Sequence, residues 1–208
     1  RQQPLPQPMG IAHAIIDATV KQYKEDLPYL VWQQLWLSQW HEERMIAVKW
    51  LAARMARKKW TLPPSWPAYQ LLFFMTQHLS QLDQWDLIDT FAPKVLGPFC
   101  LAYQRTHWLF TLIDQPTWAS QRLAMVASMA YIKAGQVDIV FRLAKQLLHS
   151  EHDLVKKSIG WMLKEASEFY FELVLVFIQQ HKDQLKSGII PYATEKWTPE
   201  QKALIKPS

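Results

Sequence analysis

Cysteine occurs once in the 208 residues, at Cys100. That excludes an intramolecular disulfide framework and points to a reducing compartment. Cys100 lies in the apolar run PFCLAY with no basic neighbour to activate its thiol, so it reads as core. Glycine is scarce at 5 residues, and no stretch alternates with period two for long enough to propose a sheet. The longest apolar run, FYFELVLVFI at 169–178, is interrupted by Glu172 and is too short to span a bilayer. No signal peptide opens the chain. It starts RQQPLPQPMG without an initiator Met, so residues upstream are expected and 1–10 reads as a flexible lead. GxGxxG, Walker and GxSxG patterns are all missing, which leaves nucleotide-cofactor and serine-hydrolase readings without a basis. His41 with Glu42 and Glu43, and His149 with His152, have no further partner at ligand spacing, so no metal site is expected.

Apolar residues make up half the chain and 11 of them are Trp, enough to ask which indoles are core and which meet a ligand. The formal net charge of +5 and a sequence pI near 9.2 favour a polyanionic partner. Helical periodicity is nearly continuous. It predicts helices at about 11–23, 28–39, 41–58, 66–80, 85–91, 93–105, 106–113, 117–133, 136–148, 152–165, 168–180, 183–194 and 199–205. Breaks are placed at Pro28, Pro63-Pro64, Pro67, Pro93, Pro116, Gly135 and Pro199. The fold class is therefore all-α. Helices of this length joined by short turns suit either a bundle or a solenoid of paired helices, and periodicity alone leaves both open.

The stretch DQWDLID at 83–89 gathers three aspartates in a basic chain. Asp83 reads as a helix cap and Asp86 as an acid near the positive end of the dipole. Asp89 lies a turn deeper and shares a helix face with Trp85, four residues earlier, so neither explanation covers it. In HDLVKKSIGWMLKEAS at 152–167, Lys157, Trp161 and Lys164 fall on one face, with Ile159, Met162, Leu163 and Ala166 opposite. That face is either a solvated rim around a core Trp or an aromatic platform flanked by phosphate-binding cations. Gly160 inside the same helix costs about 1 kcal/mol relative to Ala, which calls for close approach by a neighbouring helix or by DNA. In TWASQRLAMVASMAYIKAG at 117–135, Arg122 sits near a helix start, where its charge opposes the dipole and wants an anion. Asp89 or a phosphate would supply one. The helix HEERMIAVKWLAARMARKKW carries Arg44, Lys49, Arg54, Arg57, Lys58 and Lys59, partly complementing its dipole and partly forming a basic strip.

These stretches, in this order and at these separations, resemble the DNA alkylation repair family, the AlkD-like glycosylases built from HEAT-like helical repeats. The pair WDLID and SIGWMLKE is the specific part, and the likeness runs from about residue 10 to the C-terminus. It implies a solenoid with a concave basic cleft, in which 11–208 forms a single domain lacking the family's N-terminal helix. It further implies hydrolysis of the N-glycosidic bond of cationic alkylated purines, such as 3-methyladenine and 7-methylguanine, in duplex DNA, with no metal or other cofactor. On matching positions the catalytic carboxylate is Asp89, the lesion-facing indoles are Trp85 and Trp161, and the cleft arginine is Arg122. Lys156, Lys157 and Lys164 would join Arg122 in binding DNA. Lys164 stands where many members have Arg, keeping the charge but losing the bidentate fork. The implied protein is a monomer of the bacterial cytoplasm, on the nucleoid when bound to DNA and not in a membrane. The alternatives are a non-catalytic HEAT-repeat scaffold that binds DNA or protein, and an all-helical adaptor with no affinity for DNA.

Overall fold

The structure is a computed structural model that describes residues 9–23, 27–56 and 68–205. Every regular element among them is helical, as the periodicity predicts. The break at Pro63-Pro64 and Pro67, the cations Arg57, Lys58 and Lys59, and most of the 1–10 lead lie outside the described residues. The chain divides into two compact units, Arg1–Asp83 and Gln84–Ser208.

The first unit contains α1 (Met9–Gln22), α2 (Tyr29–Trp36), α3 (His41–Met55) and α4 (Ala68–Gln77), with a 3₁₀ turn at Leu79–Gln81. Its centre answers part of the tryptophan question. Trp32, Trp36 and Trp50 are almost wholly buried. A buried indole N–H needs an acceptor. These three donate to the carbonyls of Ala47, His78 and Tyr23 at 3.0, 3.2 and 2.8 Å. Among the described residues, the cations of the expected basic strip on α3 are occupied internally. Arg44 is buried, donates to the Ser38 carbonyl at 3.0 Å and pairs with Asp83 at 2.9 Å. Lys49 pairs with Asp17 at 2.6 Å, and Arg54 lies over the Trp50 ring at 5.6 Å.

The second unit runs through α5 (Trp85–Phe91), a π-helical turn (Ala92–Leu96), α6 (Gly97–Ala102), α7 (His107–Ile113), α8 (Trp118–Ala127) and α9 (Met129–Lys133). It continues with α10 (Asp138–Leu147), α11 (Asp153–Ser167), α12 (Phe171–His181), α13 (Ile189–Ala193) and α14 (Pro199–Ala203). Residues Leu123 to Ala127 are all buried, as a helix enclosed on every side requires. Accordingly α8 packs against α5, α7, α10 and α11. Cys100 is core as expected, and burial pushes its thiol up to about 12.

Several boundaries differ from the expectation. Pro93 does not end the helix at 91. It lacks an N–H and crowds the carbonyl four residues back, and the chain meets this by widening into a π turn. The Gly97 N–H then reaches the Ala92 carbonyl, five residues earlier. A Cβ at Gly97 would stand 2.2 Å from the carbonyl oxygen of Ala127, so this junction can seat on α8 only as glycine. The single helix expected at 117–133 is two, divided at the buried Ser128, whose hydroxyl donates to the Met125 carbonyl at 2.6 Å. Only Ile189–Ala193 of the expected 183–194 helix is α-helical, preceded by Gly188 at φ 90°.

Candidate functional site

The site is built where α5, α8 and α11 meet. α5 starts after Gln84 in extended conformation, with no side-chain cap. Asp83 is thus not the cap expected of it, because its carboxylate is engaged by Arg44 within the first unit. Asp86 does serve the helix start, accepting from the Leu87 N–H at 2.9 Å. Leu87, Ile88 and Phe91 anchor the buried face of α5. That burial orients Trp85 and Asp89 together on another side. Trp85 is 45% exposed and Asp89 half-buried.

Asp89 meets Arg122 of α8 in a two-pronged contact. Arg122 Nε donates to Oδ1 at 2.9 Å and Nη2 to Oδ2 at 2.7 Å, the parallel geometry in which a guanidinium fork matches a carboxylate. The remaining terminal nitrogen, Nη1, donates to the Leu154 carbonyl in the first turn of α11. One side chain, only 5% exposed, therefore ties three helices. Of the two anions that the position of Arg122 called for, the structure supplies Asp89. The ends of α8 and α11 are fixed locally. Thr117 caps α8 by accepting from the Ser120 N–H, while His152 caps α11 through Nδ1 and stacks on Trp118 at 5.1 Å.

Asp89 is electrostatically unusual. Burial pushes its carboxyl above its ordinary value, and the Arg122 hydrogen bond and charge, which pull the other way, do not fully offset that. Asp86 adds to the rise.

On α11 the apolar side is as expected, with Ile159, Met162, Leu163 and Ala166 fully buried. Gly160 answers to a helix and not to DNA: its missing Cβ would lie 3.0 Å from Tyr192 Cβ and 3.2 Å from the Ile189 carbonyl oxygen, both on α13. Trp161 is not core. It is half-buried, and its N–H donates to Glu165 at 3.0 Å. The four cations named from the sequence are placed differently from one another. Arg122 is committed to Asp89, Lys156 pairs with Asp153 at 2.8 Å, and Lys164 pairs with Glu195 at 2.8 Å while lying 4.3 Å over the Tyr192 ring. Lys157 is exposed and forms no ion pair among the described residues. The structure thus joins Asp89 to Arg122 directly, keeps Trp85 beside Asp89 on α5, and sets Trp161 with Lys157 and Lys164 along α11. Sequence reasoning missed the Leu154 carbonyl, which carries no side-chain signal. It also missed the Trp161–Glu165 bond, although the i, i+4 spacing displays it.

No cluster of three or more His, Cys, Asp or Glu side chains among the described residues is placed to hold a metal ion. No helix among them is long and apolar enough to cross a membrane. No curated protein matches the chain in a sequence search. Residues 7–197, nearly the whole chain and all of the elements that build the site, match a family described as DNA alkylation repair enzyme, and the chain belongs to that family.

Proposed function

We propose that this chain is a DNA glycosylase that hydrolyses the N-glycosidic bond of cationic alkylated purines, 3-methyladenine and 7-methylguanine, in duplex DNA. Family membership already assigns it a role in the repair of alkylated DNA. The observation that carries the finer reading is the Asp89 carboxylate, held by a fork, raised above its ordinary value and flanked by an exposed indole.

An alkylated purine is positively charged, so it leaves with the electrons of the C1′–N bond and needs no acid. The sugar left behind resembles an oxocarbenium ion, as in glycoside hydrolysis. Asp89 stabilises that charge and accepts a proton from the water that adds at C1′. The fork leaves capacity for this. A carboxylate has about four lone-pair sites and Arg122 occupies two of them. Its raised basicity favours the proton transfer. Arg122 is then a positioning residue that fixes the carboxylate, rather than a phosphate ligand. Trp85 and Trp161 offer indole faces to the cationic nucleotide. Lys157 is the cation best placed to meet phosphate, with Lys156 and Lys164 exchanging their internal partners for it. The helices of the second unit, joined by short turns, support a HEAT-like repeat arrangement that presents these residues to the duplex as a basic face.

The runner-up, a non-catalytic scaffold, is favoured by one fact. Arg122 bridges three helices, a tie that would be useful without any chemistry. Release of free methylpurine from a methylated duplex, measured beside affinity for that duplex, decides between them. Release by the wild-type chain supports the glycosylase. Binding without release leaves the scaffold, and absence of both leaves the adaptor.

A further inference from the structure

The ring of Trp161 is held by its own helix. Its Nε1–H donates to Oε1 of Glu165 at 3.0 Å, one turn further along α11, and both side chains are half-buried. A bond from N–H to a carboxylate is charge-assisted, so it fixes the ring more firmly than a neutral acceptor would. It also sets a negative charge at the edge of the indole. The edge is the positive part of an aromatic quadrupole and the faces are the negative part. A carboxylate at the N–H pushes electron density towards the faces and adds its own field, so the open face attracts a cation more strongly. Nearby lysines are engaged elsewhere. Lys196 bonds to Glu168 and Lys164 to Glu195, so Glu165 meets Lys196 only as a neighbouring charge.

We infer that Glu165 is a positioning and specificity residue, whose carboxylate orients Trp161 and makes its ring prefer a positively charged nucleotide to a neutral one. The inference rests on the glycosylase reading, in which that charge appears on the base and then on the sugar.

The test compares affinity for two otherwise identical duplexes. One carries a pyrrolidine abasic analogue, cationic at neutral pH, and the other its neutral tetrahydrofuran counterpart. Wild type should favour the cationic duplex. Glu165→Gln keeps an acceptor for the indole N–H but removes the charge. Its preference should fall about two- to fivefold, no more than a whole cation–π contribution because the ring itself remains, while affinity for the neutral duplex changes little. Glu165→Ala frees the ring and should weaken both. In a Trp161→Phe background, which has no N–H to donate, only the direct field of the carboxylate remains, so Glu165→Gln should lower the preference distinctly less, and this cycle separates the pair from effects on the fold. A Glu165→Gln variant with the wild-type preference, or one equally altered in the Phe background, overturns the inference. Methylpurine release by the wild type, measured in parallel, reports on the glycosylase reading separately. Release without any cation preference in the wild type ends the inference alone, whereas no release ends both.

Discussion

Replacing Asp89 by asparagine removes one charge and hardly changes the shape of the side chain. Breaking a buried ion pair by removing one partner ordinarily costs about 3–5 kcal/mol. Here the raised Asp89 carboxyl shows that burial penalises its charge by more than Arg122 compensates. Neutralising it should therefore be cheap for the fold. The asparagine carbonyl keeps one acceptor for the guanidinium, and Arg122 keeps the Leu154 carbonyl. A loss of about 1 kcal/mol, the net worth of one hydrogen bond, is expected in urea unfolding. Chemistry should respond far more. A lost preorganised electrostatic contact typically lowers the rate about 10²–10³-fold, equivalent to about 2.7–4 kcal/mol. The converse variant, Arg122→Met, leaves Asp89 buried without its fork and should destabilise by about 3–5 kcal/mol. The assay is single-turnover release of 7-methylguanine from a defined duplex, with urea unfolding of the same preparations. Binding by Asp89→Asn should persist, since a source of repulsion towards phosphate is gone. Excision by Asp89→Asn within about threefold of wild type, far short of the expected loss, refutes the catalytic assignment. A stability loss as heavy as that of Arg122→Met refutes the electrostatic one.

Four further outcomes are expected from the structure. On the proposed mechanism excision needs ionised Asp89, so the rate should fall on acidification with a midpoint above the ordinary carboxylate value of about 3.9, and Arg122→Met should move it higher still. The stability sign runs the other way: because the folded state raises this carboxyl, its contribution is full below about 3.9 and is lost as pH rises through the raised value, which unfolding of wild type against Asp89→Asn across pH would show. Affinity for duplex DNA should drop steeply with salt, and Lys157→Ala should reduce the log–log slope by about one. Lys156→Ala and Lys164→Ala should each reduce it less, because those cations already have partners at 2.8 Å. Gly97→Ala drives a Cβ to 2.2 Å from the Ala127 carbonyl oxygen and should exceed the roughly 1–3 kcal/mol of ordinary overpacking, while Gly160→Ala, with contacts of 3.0–3.2 Å, should fall within it; melting curves separate the two.

What could be read from the sequence was whatever acts within a turn or two of helix. The all-helical class, the apolar side of α11 and the helix starts at Pro28 and Pro199 are patterns in i, i+3 and i+4, and they stand. Trp85 beside Asp89 is of the same kind. Partners far apart in sequence were legible only as alternatives or not at all. Asp83 looked like a cap because caps are local, but its partner is Arg44, 39 residues earlier. The split at Ser128 and the unbroken run through Pro93 were not legible either, and the close seating of Gly97 on the Ala127 carbonyl beside them is a contact that no periodicity encodes. The charge of Arg122 announced the need for an anion and offered Asp89 or a phosphate without deciding between them.

That ambiguity bears on what kind of site this is. Several cations of the second unit are held in ion pairs: Arg122 with Asp89, Lys156 with Asp153, Lys164 with Glu195, Lys186 with Glu151, and Lys196 with Glu168. The exposed pairs are worth little to stability, with a median of about 0–1 kcal/mol each, so they can open for phosphate at small cost. The Asp89 pair differs. Its arginine is 5% exposed and bonded on all three nitrogens to groups from two other helices, so no phosphate can claim it without dismantling the junction. Under the proposed function, a surface that holds DNA through exchangeable pairs, together with one carboxylate that cannot exchange its partner, would separate binding from chemistry. Affinity should follow the exposed lysines and salt, while the rate should follow Asp89 and the two indoles.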